Sequence, residues 1–319
     1  MHAALVTLLC WAMAGAACFI PTGGVLVPAA LAVLVALVGL PHGAADHRFA
    51  KPLLQPILGA AWLPSFLVGY LVIALLVTAG WFLAPAATTV LFFLASAWHF
   101  GQEEPQIAVG PHPLRPLLRF ARGGLVVWTP LVFHGGEVTR LLRITAPRSF
   151  ETQIQLAVEM MTLASWCLLT IAIAAWGLQI LAAIAAAGRT RQVLLLDSTM
   201  QASFVLLFAV ASPIFGFLVY FCAWHSARGL KRLRRELGES WPKLAASLAP
   251  MTFGAIGLIG LGATASLQSL TWDETLVRST FVGLSAVAVP HIVLHGIAPM
   301  LAAFGDRRTA RPLTLADTA

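Results

Sequence analysis

The chain of 319 residues is 59 % hydrophobic and only 10 % charged, where an ordinary soluble domain is roughly one-quarter charged. Too much of any globule's surface faces water to hide that apolar content, so a soluble enzyme is excluded. The apolar runs are continuous rather than alternating, which excludes a transmembrane β-barrel. What remains is an all-α, polytopic transmembrane helix bundle of eight to ten spans. The net charge of +7 comes from short arginine-rich loops and reads as membrane orientation, with no nucleic-acid partner implied.

In chain order the spans fall near residues 3–20, 24–42, 60–84, 86–101, 122–136, 155–188, 193–211, 213–230, 248–270 and 276–304, most of them close to the length that crosses a hydrocarbon core. The first run has no Lys or Arg ahead of its apolar core, so it reads as a span rather than a signal peptide. The fifth is short, and the sixth is long enough for an amphipathic entry marked by Glu159. Residues 1–304 read as a single integral membrane domain and residues 305–319 as a polar C-terminal tail. Cys10, Cys18, Cys167 and Cys222 all lie inside apolar runs and form no CxxC pair, so neither a disulfide framework nor a zinc ribbon is expected.

The basic residues give an orientation. With ten spans, sixteen of the 20 Lys and Arg residues lie on one side: Arg48, Lys51, Arg115, Arg119, Arg122, Arg189, Arg191, six between Arg228 and Lys243, and Arg307, Arg308 and Arg311. Only Arg140, Arg143, Arg148 and Arg278 lie on the other. The positive-inside rule makes the rich side cytoplasmic and places both termini there, in a multi-pass protein of the cell membrane.

That topology sorts the nine histidines. His42, His99 and His225 fall near the cytoplasmic ends of spans two, four and eight. His291 and His295 fall in the middle and cytoplasmic half of span ten, while His134 ends span five on the opposite face. Four helices therefore bring imidazoles to one zone of the membrane, where polar groups are costly and usually face a functional interior. Imidazole serves iron, zinc, copper and nickel alike, so the set reads as a metal site. Structural hydrogen bonding and a proton relay are the alternatives.

Asp46 follows His42 by four residues and Glu103 follows His99 by four, a spacing that puts each pair on one helix face. Each carboxylate can then orient its histidine in the manner of groups supporting metal-bound imidazole. His291 and His295 share the same spacing. Asp197, just inside span seven, either hydrogen-bonds a ligand histidine or simply starts its helix. Phe215, Phe217, Tyr220 and Phe221 either pack or line a slot for a long apolar substrate. The basic cluster Lys231, Arg232, Arg234 and Arg235 reads as an anchor at anionic lipid.

Four ordered segments carry a resemblance: PHGAADH at 41–47, AWHFGQEE at 97–104, SPIFGFLVYFCAWHSARGL at 212–230 and PHIVLH at 290–295. In order and spacing the chain resembles the Brp/Blh family of membrane β-carotene 15,15′-dioxygenases, over roughly residues 38 to 295. The resemblance implies an iron(II) enzyme that splits β-carotene with O2 at its central double bond into two all-trans-retinal molecules for rhodopsins. It places His42, His99 and His225 on positions taken as iron ligands. The family's third motif continues with a second histidine four residues on, where this chain has Gly229. A four-histidine site is then one ligand short unless His291 or His295 completes it. The expected set is His42, His99, His225 and His291, supported by Asp46, Glu103, Asp197 and His295, with a three-histidine site as the alternative. Rival readings are a membrane cytochrome, whose haems want axial pairs at two depths, and a desaturase, whose HxxHH boxes are missing here. A transporter would favour midplane charges and repeat symmetry.

Overall fold

The computed structural model describes residues 2–17, 25–103, 112–267 and 269–309, and all regular structure among them is helical. Helix α1 (His2–Ala17) is followed by α2 (Leu26–Leu34), which runs through a π-helical stretch (Val35–Gly39) into α3 (Leu40–Ala44). Next come α4 (Asp46–Leu58), α5 (Trp62–Leu83), α6 (Pro85–Glu103), α7 (Arg115–Gly123) and α8 (Leu125–Thr145). The second half comprises α9 (Glu151–Ala185), α10 (Gly188–Val210), α11 (Pro213–Leu218), a second π-helical stretch (Val219–Ser226), α12 (Ala227–Leu237), α13 (Trp241–Ser266) and α14 (Trp272–Thr309).

Among the described residues, five stretches are long and apolar enough by themselves to cross a membrane: 26–83, 148–185, 188–210, 241–266 and 272–303. The expected spans 24–42 and 60–84 both lie in the first of these. Helices α1, α6, α8 and the run from α11 into α12 stand where the remaining expected spans were placed. The outside is apolar: Leu75, Leu76, Leu163, Leu258 and Phe253 are all more than half exposed. Only a lipid surround makes such a surface stable, and helices are the form that satisfies every backbone group within it. The protein is a membrane protein.

Two boundaries differ from expectation. Helix α8 continues to Thr145 instead of stopping near 136, with a break in helical geometry at His134 (φ −133°, ψ 30°) four residues after Pro130. Proline removes a backbone donor and crowds the preceding turn, so the kink has a local cause. His134 Nε2 meets Ala209 O at 3.1 Å and ties the kink to α10. Helix α14 carries on to Thr309, past the expected end of span ten at 304, and residues 310–319 of the expected polar tail lie outside the described residues.

Helix α14 is the hub. It packs against α2, α4, α5, α6, α8 and α13. Polar bonds between helices fix the arrangement, including Trp81 Nε1 to Ser285 Oγ at 2.7 Å and Trp11 Nε1 to Ser203 Oγ at 2.9 Å. Such bonds contribute about 0.6 kcal/mol each on average inside a membrane. Among the described residues no disulfide forms, and Cys10 and Cys222 are buried thiols.

Candidate metal centre

Each histidine reaches the centre from a different helix. His42 lies in α3 just past the first π stretch, and His99 is in the last turns of α6. His225 lies within the second π stretch, and His291 follows Pro290 inside α14. A π stretch adds a residue to the turn and re-aims the side chains beyond it, and such stretches recur at functional sites. The two here pack against each other. Their contact is close because Gly39 has no side chain: a Cβ there would lie 2.6 Å from the Phe221 ring.

The rings form a closed circuit. Centroids are 5.0 Å apart for His42–His225, 5.4 Å for His225–His99, 4.8 Å for His99–His291 and 5.1 Å for His291–His42. Four imidazoles holding one ion by nitrogens about 2.1 Å away would have neighbouring ring centres roughly 4.6–5.3 Å apart. Three of the four spacings fall in that range, and the fourth, His225–His99 at 5.4 Å, lies just above it. His99, His225 and His291 are each 6 % exposed. The Nε2 atoms of His42, His99 and His291 are buried with no hydrogen-bond partner among the described residues. Three unpaired ring nitrogens in a lipid-embedded core are expensive, and a cation is the group whose binding answers them together. The donor set therefore fits a metal.

Beside the ring circuit stands a supporting carboxylate. Asp46 Oδ1 lies 2.7 Å from His291 Nδ1 and 3.7 Å from His295 Nε2, and Tyr70 OH lies 3.1 Å from Asp46 Oδ2 and 2.8 Å from Val287 O. With Nδ1–H donated to the carboxylate, His291 keeps its lone pair on Nε2, the tautomer a metal ligand needs. His295 stacks on Phe49 at 4.3 Å. Asp46, His291 and His295 also present ligand atoms within 4.8 Å of one another and could hold a cation themselves. Asp46 Oδ1 is already engaged by His291, however, and of these three only His291 lines the large apolar cavity next to the rings. The trio reads as support for the four-histidine circuit.

Three expectations about the supporting groups are corrected. Asp46 does not pair with His42, since Ala45 forms a turn between α3 and α4 and breaks the helical phase that the spacing assumed. Glu103 does not pair with His99: its carboxylate lies 3.6 Å from Arg232, and its backbone carbonyl accepts from Arg228. Asp197 sits in a separate buried knot, accepting from Arg122 at 2.7 Å, Gln179 at 2.8 Å and Gln201 at 2.7 Å. Carboxylates take the nearest strong donors: an arginine for the half-buried Glu103, and an arginine with two amides for the buried Asp197. Tyr70 is the functional candidate that the sequence reading missed. It is one of only two tyrosines, and a phenol inside an apolar run must find a polar partner, which is the signal that marks it.

Gly229 is no empty ligand position. A Cβ built there would collide with His42 at Cε1 and Nδ1. The fourth imidazole of the circuit arrives instead from α14.

The four histidines line an apolar cavity of about 1170 Å³, counting its open part. Apart from Ser96 and the histidines its walls are hydrophobic or glycine, supplied by the end of the first π stretch with α3, α6, α8, α11 with its π stretch, and α14. Phe217 and Phe221 stack at 5.2 Å, and Phe221 stacks in turn on His225 at 5.8 Å. This file of rings leads along the wall to the metal centre. The arrangement can hold a redox-active cation out of water at the end of a dry slot for a long apolar molecule.

A family model described as Beta-carotene 15,15′-dioxygenase matches residues 33–297. A protein of an uncultured marine bacterium named Beta-carotene 15,15′-dioxygenase is 28 % identical over 264 residues, covering 82 % of this chain and 90 % of the relative. The Probable beta-carotene 15,15′-dioxygenase Blh of Halobacterium salinarum is 28 % identical over 286 residues, covering 83 % of this chain and 82 % of the relative. No solved structure matches the chain.

Proposed function

Because the chain belongs to the β-carotene 15,15′-dioxygenase family, we propose that it cleaves β-carotene at the central 15,15′ double bond with O2, yielding two molecules of all-trans-retinal for rhodopsins. The double bond breaks and each of its carbons takes one oxygen atom, so the two products are identical. The observation that carries the reading is the placing of four imidazoles on an apolar cavity wall.

The metal we assign is Fe(II), held by His42, His99, His225 and His291. Bound there, iron would supply the redox chemistry that lets O2 react with a closed-shell alkene. The protein's own residues do the rest. Neutral imidazoles leave the ion its full charge and coordination positions to spare. Asp46, with Tyr70 behind it, holds His291 in one tautomer. The phenylalanine file and the aliphatic walls exclude water and align a polyene, which is the positioning that makes catalysis efficient. β-Carotene partitions into lipid, and it enters laterally between helices. One helical domain, ending with α14, carries all of this in the cell membrane, with both termini cytoplasmic.

The test is expression in cells that accumulate β-carotene, followed by extraction of pigments. Loss of orange colour with appearance of retinal supports the assignment. Unchanged carotenoid beside well-expressed, iron-loaded protein overturns it.

A further inference from the structure

The cavity is one-sided with respect to its histidines. On α14 its lining runs from Phe281 through Leu284, Val287 and Ala288 to His291 and stops at Ile292. On α6 it begins at Phe92 and stops at Phe100, one residue beyond His99. On the chain that starts with α11 it runs from Pro213 to His225 and no further. On all three helices the histidine stands at one end of the lining, and the rest of the cavity lies to one side of it.

The opposite end is built from Leu141, Leu142, Pro213, Phe217 and Phe281. Leu141, Leu142 and Pro213 are buried, and Phe217 and Phe281 meet across it with ring centres 6.0 Å apart. Phe281 precedes His291 by ten residues, a separation of about 15 Å along a helix axis. An extended carbon chain advances about 1.2 Å per bond. From the central carbon of β-carotene to its ring is about nine bonds, or roughly 11 Å at that advance, and the ring itself adds a few ångströms. Half of the substrate matches the slot.

Resting on the cleavage reading, we infer that the slot is a depth gauge: one ring-bearing half of the carotenoid seats against Phe217, Phe281 and Leu142, and its length sets which double bond reaches the histidines. The other half is not measured and lies outside the slot. Central cleavage is then a result of depth, with no need for a symmetric site around the metal. Phe217, Phe281 and Leu142 act as specificity-determining residues at a distance from the chemistry.

Three variants of the iron-loaded enzyme test this. Phe281→Ala on α14 and Phe217→Ala on α11 lengthen the slot, and Leu284→Phe, one helical turn in from Phe281, shortens it. The products are separated by chain length, and each variant's iron content is checked against wild type. Lengthening lets the substrate slide deeper, so the two alanine variants should yield one aldehyde longer than retinal and one shorter. A second readout needs no turnover: retinal binding to iron-free protein, followed by tryptophan fluorescence. Leu284→Phe should weaken that binding about tenfold or more, as overfilling a packed site does. Retinal as sole product from both alanine variants, with retinal binding undiminished in Leu284→Phe, would overturn the gauge. If wild-type enzyme makes no retinal, the cleavage assignment itself fails. If wild type makes retinal and the variants do not change it, only the gauge fails.

Discussion

The imidazole of His42 occupies the space that a side chain at position 229 would need. Its Cε1 and Nδ1 lie where the Cβ of any larger residue at Gly229 would be. The glycine in HSARG therefore serves the ring it faces, and restoring a histidine there does not add a fifth donor. Gly229→Ala and Gly229→His should each displace His42 and lower iron affinity by an order of magnitude or more, comparable to losing a supporting contact of a metal ligand. Iron per protein after purification reads the effect. Iron content at or above wild type in Gly229→His would refute the packing argument.

With His291 proposed as a metal ligand, Asp46, 2.7 Å from its Nδ1, should act on the metal through that ring. Asp46→Asn offers an amide in place of the carboxylate that accepts from Nδ1, and should weaken metal binding about 10–100-fold. Tyr70→Phe removes one neutral hydrogen bond and should cost about 1 kcal/mol of stability with a smaller loss of metal. Titration of the iron-free variants with Fe(II) under anaerobic conditions separates the two. Equal losses in both would mean that Tyr70, not Asp46, fixes the ring.

The Arg122–Asp197 pair should govern stability without touching the metal. Its side chains are 12 % and 6 % exposed, and Gln179 and Gln201 complete the knot. Asp197→Ala leaves a buried guanidinium without its counter-ion, a loss of about 3–5 kcal/mol. Thermal unfolding in detergent should show a markedly lower midpoint, while the folded fraction keeps its full iron. Iron loss with an unchanged midpoint would move Asp197 back to the metal centre.

Orientation is open to direct measurement. A reporter fused after residue 240 should be cytoplasmic and one near residue 145 exterior, from the sixteen-to-four bias of Lys and Arg. A cytoplasmic reporter at 145 would mean that the count of crossings before α9 is off by one.

Much of the arrangement was legible in the residues. Composition gave the helical membrane class, and charge bias alone grouped His42, His99, His225 and His291 in one zone, where their rings lie about 5 Å apart in the structure. The partners of the carboxylates were not legible. The i,i+4 rule presumes an unbroken helix, and the turn at Ala45 separates His42 from Asp46, whose ring partner is 245 positions away in sequence. Nothing local to Glu103 or Asp197 reveals the arginines that hold them from α12 and α7. The extension of α8 past His134 was hidden for a related reason. A proline kink looks like a helix end in sequence, while Glu137 and Arg140 continue as an i,i+3 pair on the far side.

The two π-helical stretches have a consequence for how this sequence can change. Each carries one residue more than an α-helix needs to make the same turn, and one residue is worth about 100° of rotation around the axis. Deleting a single residue between Val219 and Ser226 would let the segment relax to an ordinary α-helix and leave its neighbours intact. The side chains on either side would fall out of phase, turning His225 away from the other three rings. A point substitution there acts on one contact, whereas a one-codon deletion acts on the phase of the whole segment.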